Sequence, residues 1–193
     1  MYKQCKTEHS AARQRQMEYG LMRLMIEMGY ENISVSDLCD YMQIPRKSFY
    51  RYFSSKDGAL YAMLDHAMMD YESYNVIYRD GESRSVEKEL TQFFMFWHDK
   101  KDLLDALAKN NMSGNLVERA ISQTGSNQSV PYRFLPNDSL YERKQATLFC
   151  ISGLMSILLT WHNDGFPHSA EHMAQITARL ISEPLFSNLQ AMI

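Results

Sequence analysis

The chain has 193 residues, a formal charge of −3 and a 45% hydrophobic content, which allows one full core or a small module of about 50–60 residues beside a larger domain. The charge is uneven: residues 1–60 carry nine Lys and Arg against seven Asp and Glu, and the remainder eleven against sixteen, so only the front of the chain has a cationic excess to offer phosphate. Three widely spaced cysteines, Cys5, Cys39 and Cys150, with no Cys-x-x-Cys pair, argue against a disulfide framework or a thiolate metal site and fit a reducing cytoplasm.

Apolar residues recur at helical rather than alternating spacing throughout, so the expected class is all-α. The first helix is expected over 10–28, where Met17, Leu21, Leu24, Met25 and Met28 form one stripe and Gly29 follows as the stop. A second helix over 35–42 has Ser34 as N-cap and Asp37 three residues on, with Val35, Leu38, Cys39 and Met42 facing inward. Pro45 opens a third helix, expected to end near Phe53. Ser54 or Ser55 caps a longer fourth helix with Leu60, Met63, Leu64, Ala67 and Tyr71 on its stripe.

A polar break at 79–84 precedes helices expected over 86–98, 100–110 and 115–123, and 125–138 reads as a long loop. The eighth helix, 140–163, is apolar around most of its circumference, so both of its faces need cover. Its apolar run, 146–161, carries Ser152, Gly153, Ser156 and Thr160 and is short for a bilayer span, so no membrane partner is expected. The ninth helix, 169–183, pairs an apolar stripe with Ala170, Ala174 and Ala178, small residues that permit close helix approach. Pairing of helices 8 and 9 with a second copy would bury both surfaces. The N-terminus has charge but no apolar run, so no secretory leader is expected.

Helices 2 and 3, joined by a tight turn, have the pattern of a DNA-reading pair. With Pro45 opening helix 3, Phe49, Tyr52 and Phe53 fall together as its anchor, and Arg46, Lys47, Ser48, Tyr50 and Arg51 are left facing outward or flanking. Arg46 and Lys47 occupy the first turn, the part of a recognition helix that enters the major groove. Tyr50, Tyr52 and Lys56 are placed for the sugar-phosphate backbone, and the free amides at the starts of helices 2 and 4 add anion sites near Ser34 and Lys56.

Gly29-Tyr30, Ile33-Ser-Val, Asp37-Leu38 and the run Phe49-Tyr-Arg-Tyr-Phe with Ser55-Lys-Asp resemble the DNA-binding domain of TetR-family transcriptional regulators over residues 10–65. The remainder is similar in helix count, in the apolar eighth helix ending near a Trp, and in the Gly-x-Pro turn before helix 9. The resemblance implies an N-terminal helix-turn-helix domain, residues 1–56, and a C-terminal ligand-binding and dimerisation domain, residues 57–193, about nine helices in all. It places base reading at Arg46, Lys47 and Ser48 and backbone contact at Tyr50 and Lys56. The chain departs from the family pattern at Met42-Gln43, where Ala-Gly is usual, at Pro45 in place of a capping Ser, at Lys47 in place of a small residue, and at Gly58-Ala59 early in helix 4.

Competing chemistry is thin. His168-Ser-Ala-Glu171-His172 spells an inverted zinc-protease motif, but Pro167 and a capping Ser169 leave His168 outside the helix, so no metal is expected. His98 and His162 stand at expected helix ends, where polar residues satisfy free carbonyls. With no Gly-rich phosphate loop, nucleophile elbow or paired carboxylates, the expectation is not an enzyme, and no cofactor is implied. An aromatic and Met-rich set (Tyr71, Tyr74, Tyr78, Phe93, Phe94 and Phe96, with Trp97, Met155 and Trp161) is core by default. In TetR-like proteins such helices surround an inducer pocket, so Tyr71, Tyr74, Phe94, Trp97, His98, Met155, Trp161 and His162 are candidate contacts for a small apolar or aromatic ligand.

The reading is a ligand-responsive regulator, a repressor in its expected sense, that binds a double-stranded, palindromic operator as a homodimer in the cytoplasm and is released by a small molecule. The alternative is a small-molecule-binding or protein-interaction helical module without operator function.

Overall fold

The computed structural model describes residues 1–77, 85–124 and 139–182. Among these, nine α-helices follow one another: α1 (Glu8–Met28), α2 (Val35–Tyr41), α3 (Arg46–Tyr50), α4 (Lys56–Ile77), α5 (Val86–Asp99), α6 (Lys101–Lys109), α7 (Ser113–Thr124), α8 (Leu140–Asn163) and α9 (Ala170–Ser182), with a 3-10 turn at Tyr30–Asn32. The all-α expectation holds. The polar break, Tyr78 and the loop 125–138 lie outside the described residues.

Side-chain caps set most of the helix starts. Thr7 Oγ1 accepts from Ser10 N at 3.2 Å and begins α1 two residues before its expected start. Ser34 and Asp37 form a reciprocal capping box on α2, and Ser139 and Glu142 do the same on α8. Each box satisfies backbone donors that a helix start otherwise leaves unpaired. The third helix is shorter than its expected span to Phe53. The amides of Tyr52 and Phe53 both turn back onto Phe49 O, at 2.9 and 3.1 Å, and Phe53 then bridges antiparallel to Tyr2.

α1 and α4 run in opposite directions as the spine of the N-terminal part. Arg15 meets Asp70 at 2.7 Å, Glu18 meets His66 at 2.8 Å, and Tyr30, just past the end of α1, meets Asp57 at 2.5 Å. Met17, Leu21 and Met25 of α1 are fully buried, together with Leu38, Phe49, Leu60 and Leu64. Gly20 sits where α2 comes closest: a Cβ there would stand 2.7 Å from Met42 Sδ. The large Met42 is thus accommodated by the missing side chain opposite.

In the C-terminal part α5 packs most extensively on α9. The small residues of α9 serve this contact inside the chain: Ala174 and Thr177 are buried, and Ala170 and Ala178 partly so. What remains outward is apolar, with Phe149 on α8 and Leu180 and Ile181 on α9 exposed. By length and composition alone α8 would be long and apolar enough to cross a bilayer, though only about a fifth of its apolar stretch is buried within the chain.

Glu18 is 3% exposed and its carboxylate faces the His66 ring, with Nδ1 2.8 and 2.9 Å from its two oxygens. Burial raises the Glu18 carboxyl above its usual range, against the lowering effect of His66. A raised carboxyl favours the fold most while protonated, and that contribution is lost as pH rises through its folded pKa. Glu18→Gln keeps an acceptor for the ring but cannot ionise. The unfolding free energy of the variant relative to wild type should therefore rise between about pH 4 and pH 7, measured by urea unfolding; a relative fall over that window would contradict the assignment.

Candidate nucleic-acid interface

The helix-turn-helix is built on a strained turn. α2 ends at Met42, Gln43 adopts φ 52°, and Ile44 N returns to Cys39 O at 2.9 Å while its side chain is buried. Gln43 holds the left-handed position that glycine fills more cheaply, at a cost of about 1–2 kcal/mol. Pro45, with φ −62° and ψ 141°, then directs the chain into α3 as its N-cap.

Five residues form too short a helix to be stable alone, and aromatic packing holds this one. Phe49 is fully buried and Phe53 is 1% exposed, their ring centroids 5.2 Å apart. Tyr52 is buried beside Phe53, so its ring belongs to the anchor rather than to the outer surface expected of a backbone contact. Arg46, Lys47, Tyr50 and Arg51 are exposed and Ser48 is half-buried. Tyr50 lies edge-on to Phe49 at 5.5 Å while keeping half of its own surface in water. The exposed side of α3 is thus cationic and hydrogen-bonding, and Ser34, at the start of α2, is exposed as well.

Lys56 is placed differently from the expectation. Its ammonium donates to Tyr30 O at 2.7 Å and Ile33 O at 2.8 Å and lies 4.1 Å from the centre of the Tyr30 ring. Two of its three protons are held within the protein, so Lys56 fastens the start of α4 to the α1–α2 connection. The start of α4 is also partly covered. Ser54 N and Ser54 Oγ both donate to Met1 O, at 3.1 and 2.7 Å, and a Cβ on Gly58 would come within 2.6 Å of the same carbonyl. The close approach of this N-terminal segment accounts for glycine at 58. No sequence pattern pointed to it.

Tyr30 is the second residue that the sequence reading undervalued. Its N–H donates to Asn110 Oδ1 at 2.5 Å, its carbonyl accepts from Lys56 and its hydroxyl donates to Asp57. Burial, with Asp57 adding to it, raises the phenol well above its ordinary range. Asn110 Nδ2 donates to Met25 O at 3.1 Å and Ala106 O at 2.7 Å, and Lys109 Nζ donates to Ile26 O. The end of α6 therefore caps the end of α1.

The candidate ligand contacts fall into two groups. Tyr71 and Tyr74 of α4 stack with Phe93, Phe96 and Trp97 of α5, at centroid distances of 5.3–6.4 Å. Phe94, His98, Trp161 and His162 gather instead around Phe166 and the turn after α8. His98 is exposed, Met155 is buried, and His162 Nε2 is 2.8 Å from Asp105 Oδ1. A cleft of about 390 Å³ is lined by Ile157, Thr160, Trp161, His168, Met173 and Ile176, among others; of the candidates it includes Trp161 alone. His168 precedes α9, and Ser169 Oγ accepts from His172 N at 3.3 Å; among the described residues no third metal-ligand side chain joins the two histidines.

These features define a helix-turn-helix whose short third helix presents an exposed, cationic side. Residues 20–63 match the family model for bacterial regulatory proteins of the tetR family. The match is confined to that segment, and over its whole length the chain shares its fold with solved structures of transcriptional regulators. A putatively assigned TetR-family regulator from Syntrophomonas wolfei superposes with a TM-score of 0.64 at 16% identity, covering 92% of this chain and 99% of that one. The fatty acid degradation regulator FadR from Bacillus halodurans gives 0.60 at 15% identity, covering 94% and 98%. A transcriptional regulator from Aquifex aeolicus gives 0.57 at 13%, covering 87% and 96%. No curated protein matches the chain.

The lysine within α3, Lys47, and the one that starts α4, Lys56, should separate in a stability measurement. Lys56→Met leaves two carbonyls without their charged donor and should lower the unfolding free energy by about 2–3 kcal/mol. Lys47→Ala, on the exposed face, should stay within about 0.5 kcal/mol of wild type. Urea unfolding checks both, and equal losses would contradict the placement of Lys56.

Proposed function

We propose that the protein is a ligand-responsive transcriptional repressor that binds a near-palindromic operator as a homodimer in the cytoplasm. Residues 1–56 form the reading domain, and residues 57–193 bind the ligand and a second copy. The observation that carries the reading is the exposed cationic side of α3, with Arg46 and Lys47 in its first turn, held by the buried Phe49 and Phe53.

Arg46 and Lys47 reach base edges, where the guanidinium suits the O6/N7 edge of guanine. Ser48 adds a hydroxyl, and Tyr50, Arg51 and the capped start of α2 at Ser34 bear on phosphates. Lys56 contributes through the position of α4 and through its one remaining proton. Tyr52 contributes chiefly as an anchor.

The outward apolar residues of α8 and α9, Phe149, Leu180 and Ile181, support pairing with a second copy. Such an isologous contact places two copies of α3 in successive major grooves, about 34–36 Å apart. A ligand that prefers one arrangement of the C-terminal helices would move α4 and α6 together, because Lys56 and Asn110 both hold Tyr30. Any change in the spacing of the two reading heads then weakens operator binding.

Selection from random duplexes should return an inverted repeat. On that sequence Arg46→Ala should lose about 1–3 kcal/mol of affinity and relax preference at one base of each half-site. Equal loss on operator and random DNA would overturn the base-reading role.

A further inference from the structure

Trp97 is 1% exposed, and its indole N–H has no hydrogen-bond acceptor among the described residues. The other tryptophan, Trp161, is also buried but donates to His168 O at 3.1 Å. A buried donor without a partner costs about 1–3 kcal/mol, and buried indoles normally find one. The rings around Trp97 are those of Tyr71, Phe93 and Phe96, at 6.4, 6.4 and 5.3 Å. Phe93 and Phe96 are buried, whereas Tyr71 and the neighbouring Tyr74 are only partly so, which leaves the α4 side of the cluster in reach of solvent.

We infer that Trp97 Nε1 is the hydrogen-bond donor for the effector, and that the effector is a neutral, aromatic or compact apolar molecule with one carbonyl-type acceptor. The aromatic set supplies flat apolar walls, and the orphan N–H supplies one directional polar group, the combination expected of a small-molecule site. Neutrality follows from the state of the cation that lies over these rings among the described residues. Lys100 Nζ lies 5.4 Å from the Phe96 ring but is bound to Asp70 at 3.0 Å, and Asp70 also holds Arg15. A carboxylate buried here would find no free counter-ion in Lys100 and would face a large desolvation cost, whereas a ketone or ester oxygen needs only the one donor. The inference rests on the reading of residues 57–193 as a ligand-binding domain and deepens it.

The test uses full-length protein labelled with 15N at its two indoles, whose resonances are assigned with Trp97→Phe and Trp161→Phe. The probes are acetophenone and α-methylstyrene, which have the same shape but carry oxygen and CH2, respectively, at the branching carbon. Acetophenone should move the Trp97 N–H proton downfield in a saturable way and leave the Trp161 signal in place. α-Methylstyrene should bind roughly tenfold more weakly and cause no downfield shift, a ratio matching one neutral hydrogen bond. An unmoved Trp97 signal up to the solubility of acetophenone, or equal binding of both probes, would overturn the inference. If the Trp97 signal moves while operator affinity is unchanged by acetophenone, the donor assignment stands and the coupling of this site to DNA release fails. If operator affinity falls with Trp97 unmoved, ligand control stands and the donor assignment fails.

Discussion

One buried residue, Tyr30, joins the pieces on which the reading head depends. Its amide, carbonyl and hydroxyl meet Asn110 of α6, Lys56 at the start of α4 and Asp57 beside it. The end of α1, the start of α4 and the end of α6 are therefore fixed to one another by directional bonds as well as by apolar packing. A backbone group left unpaired here would cost more than its bond contributes, so these helices have little freedom to move singly. Within the N-terminal part, Arg15–Asp70 and Glu18–His66 tie α1 to α4 further along their lengths.

This fastening gives a very short α3 a defined direction. Five residues cannot hold a helix in water, but Phe49 and Phe53 bury it from one side while the turn at Gln43 fixes how it starts. Its outer side is then free to carry charge. The chain as a whole is acidic, so a small cationic surface has to be presented rigidly to be effective against phosphate. The same fastening ties the positions of α4 and α6 to the end of α1.

Much of this was legible in the sequence because it is local. The capping pair Ser34 and Asp37, the stop at Gly29, the start at Pro45 and the inward stripe of α1 each follow from residues a few positions apart. The span of α8 followed from its apolar content. What could not be read were contacts between distant residues. Lys56 looked like a phosphate contact because its position fits one, and only the fold brings Tyr30 O and Ile33 O beneath its ammonium. Tyr52 fitted both the anchor and a backbone contact, and the reversal of the chain onto Phe49 O buries it in the anchor. The small residues of α9 suggested a partner, and α5 of the same chain meets that face. The aromatic set read as one group divides between the α4–α5 face and the turn around Phe166. Gly20 and Gly58 make sense only beside Met42 and Met1.

The central claim is that the outer side of α3, with the capped start of α2, meets duplex DNA. Backbone hydrogen exchange with and without a random duplex at low salt tests it most directly, because nonspecific binding uses the same phosphate contacts without needing the operator. The account predicts that exchange slows in the segments 34–37 and 44–51 and stays unchanged in α9. Unchanged exchange at 44–51, with slowing elsewhere on the surface, would contradict it.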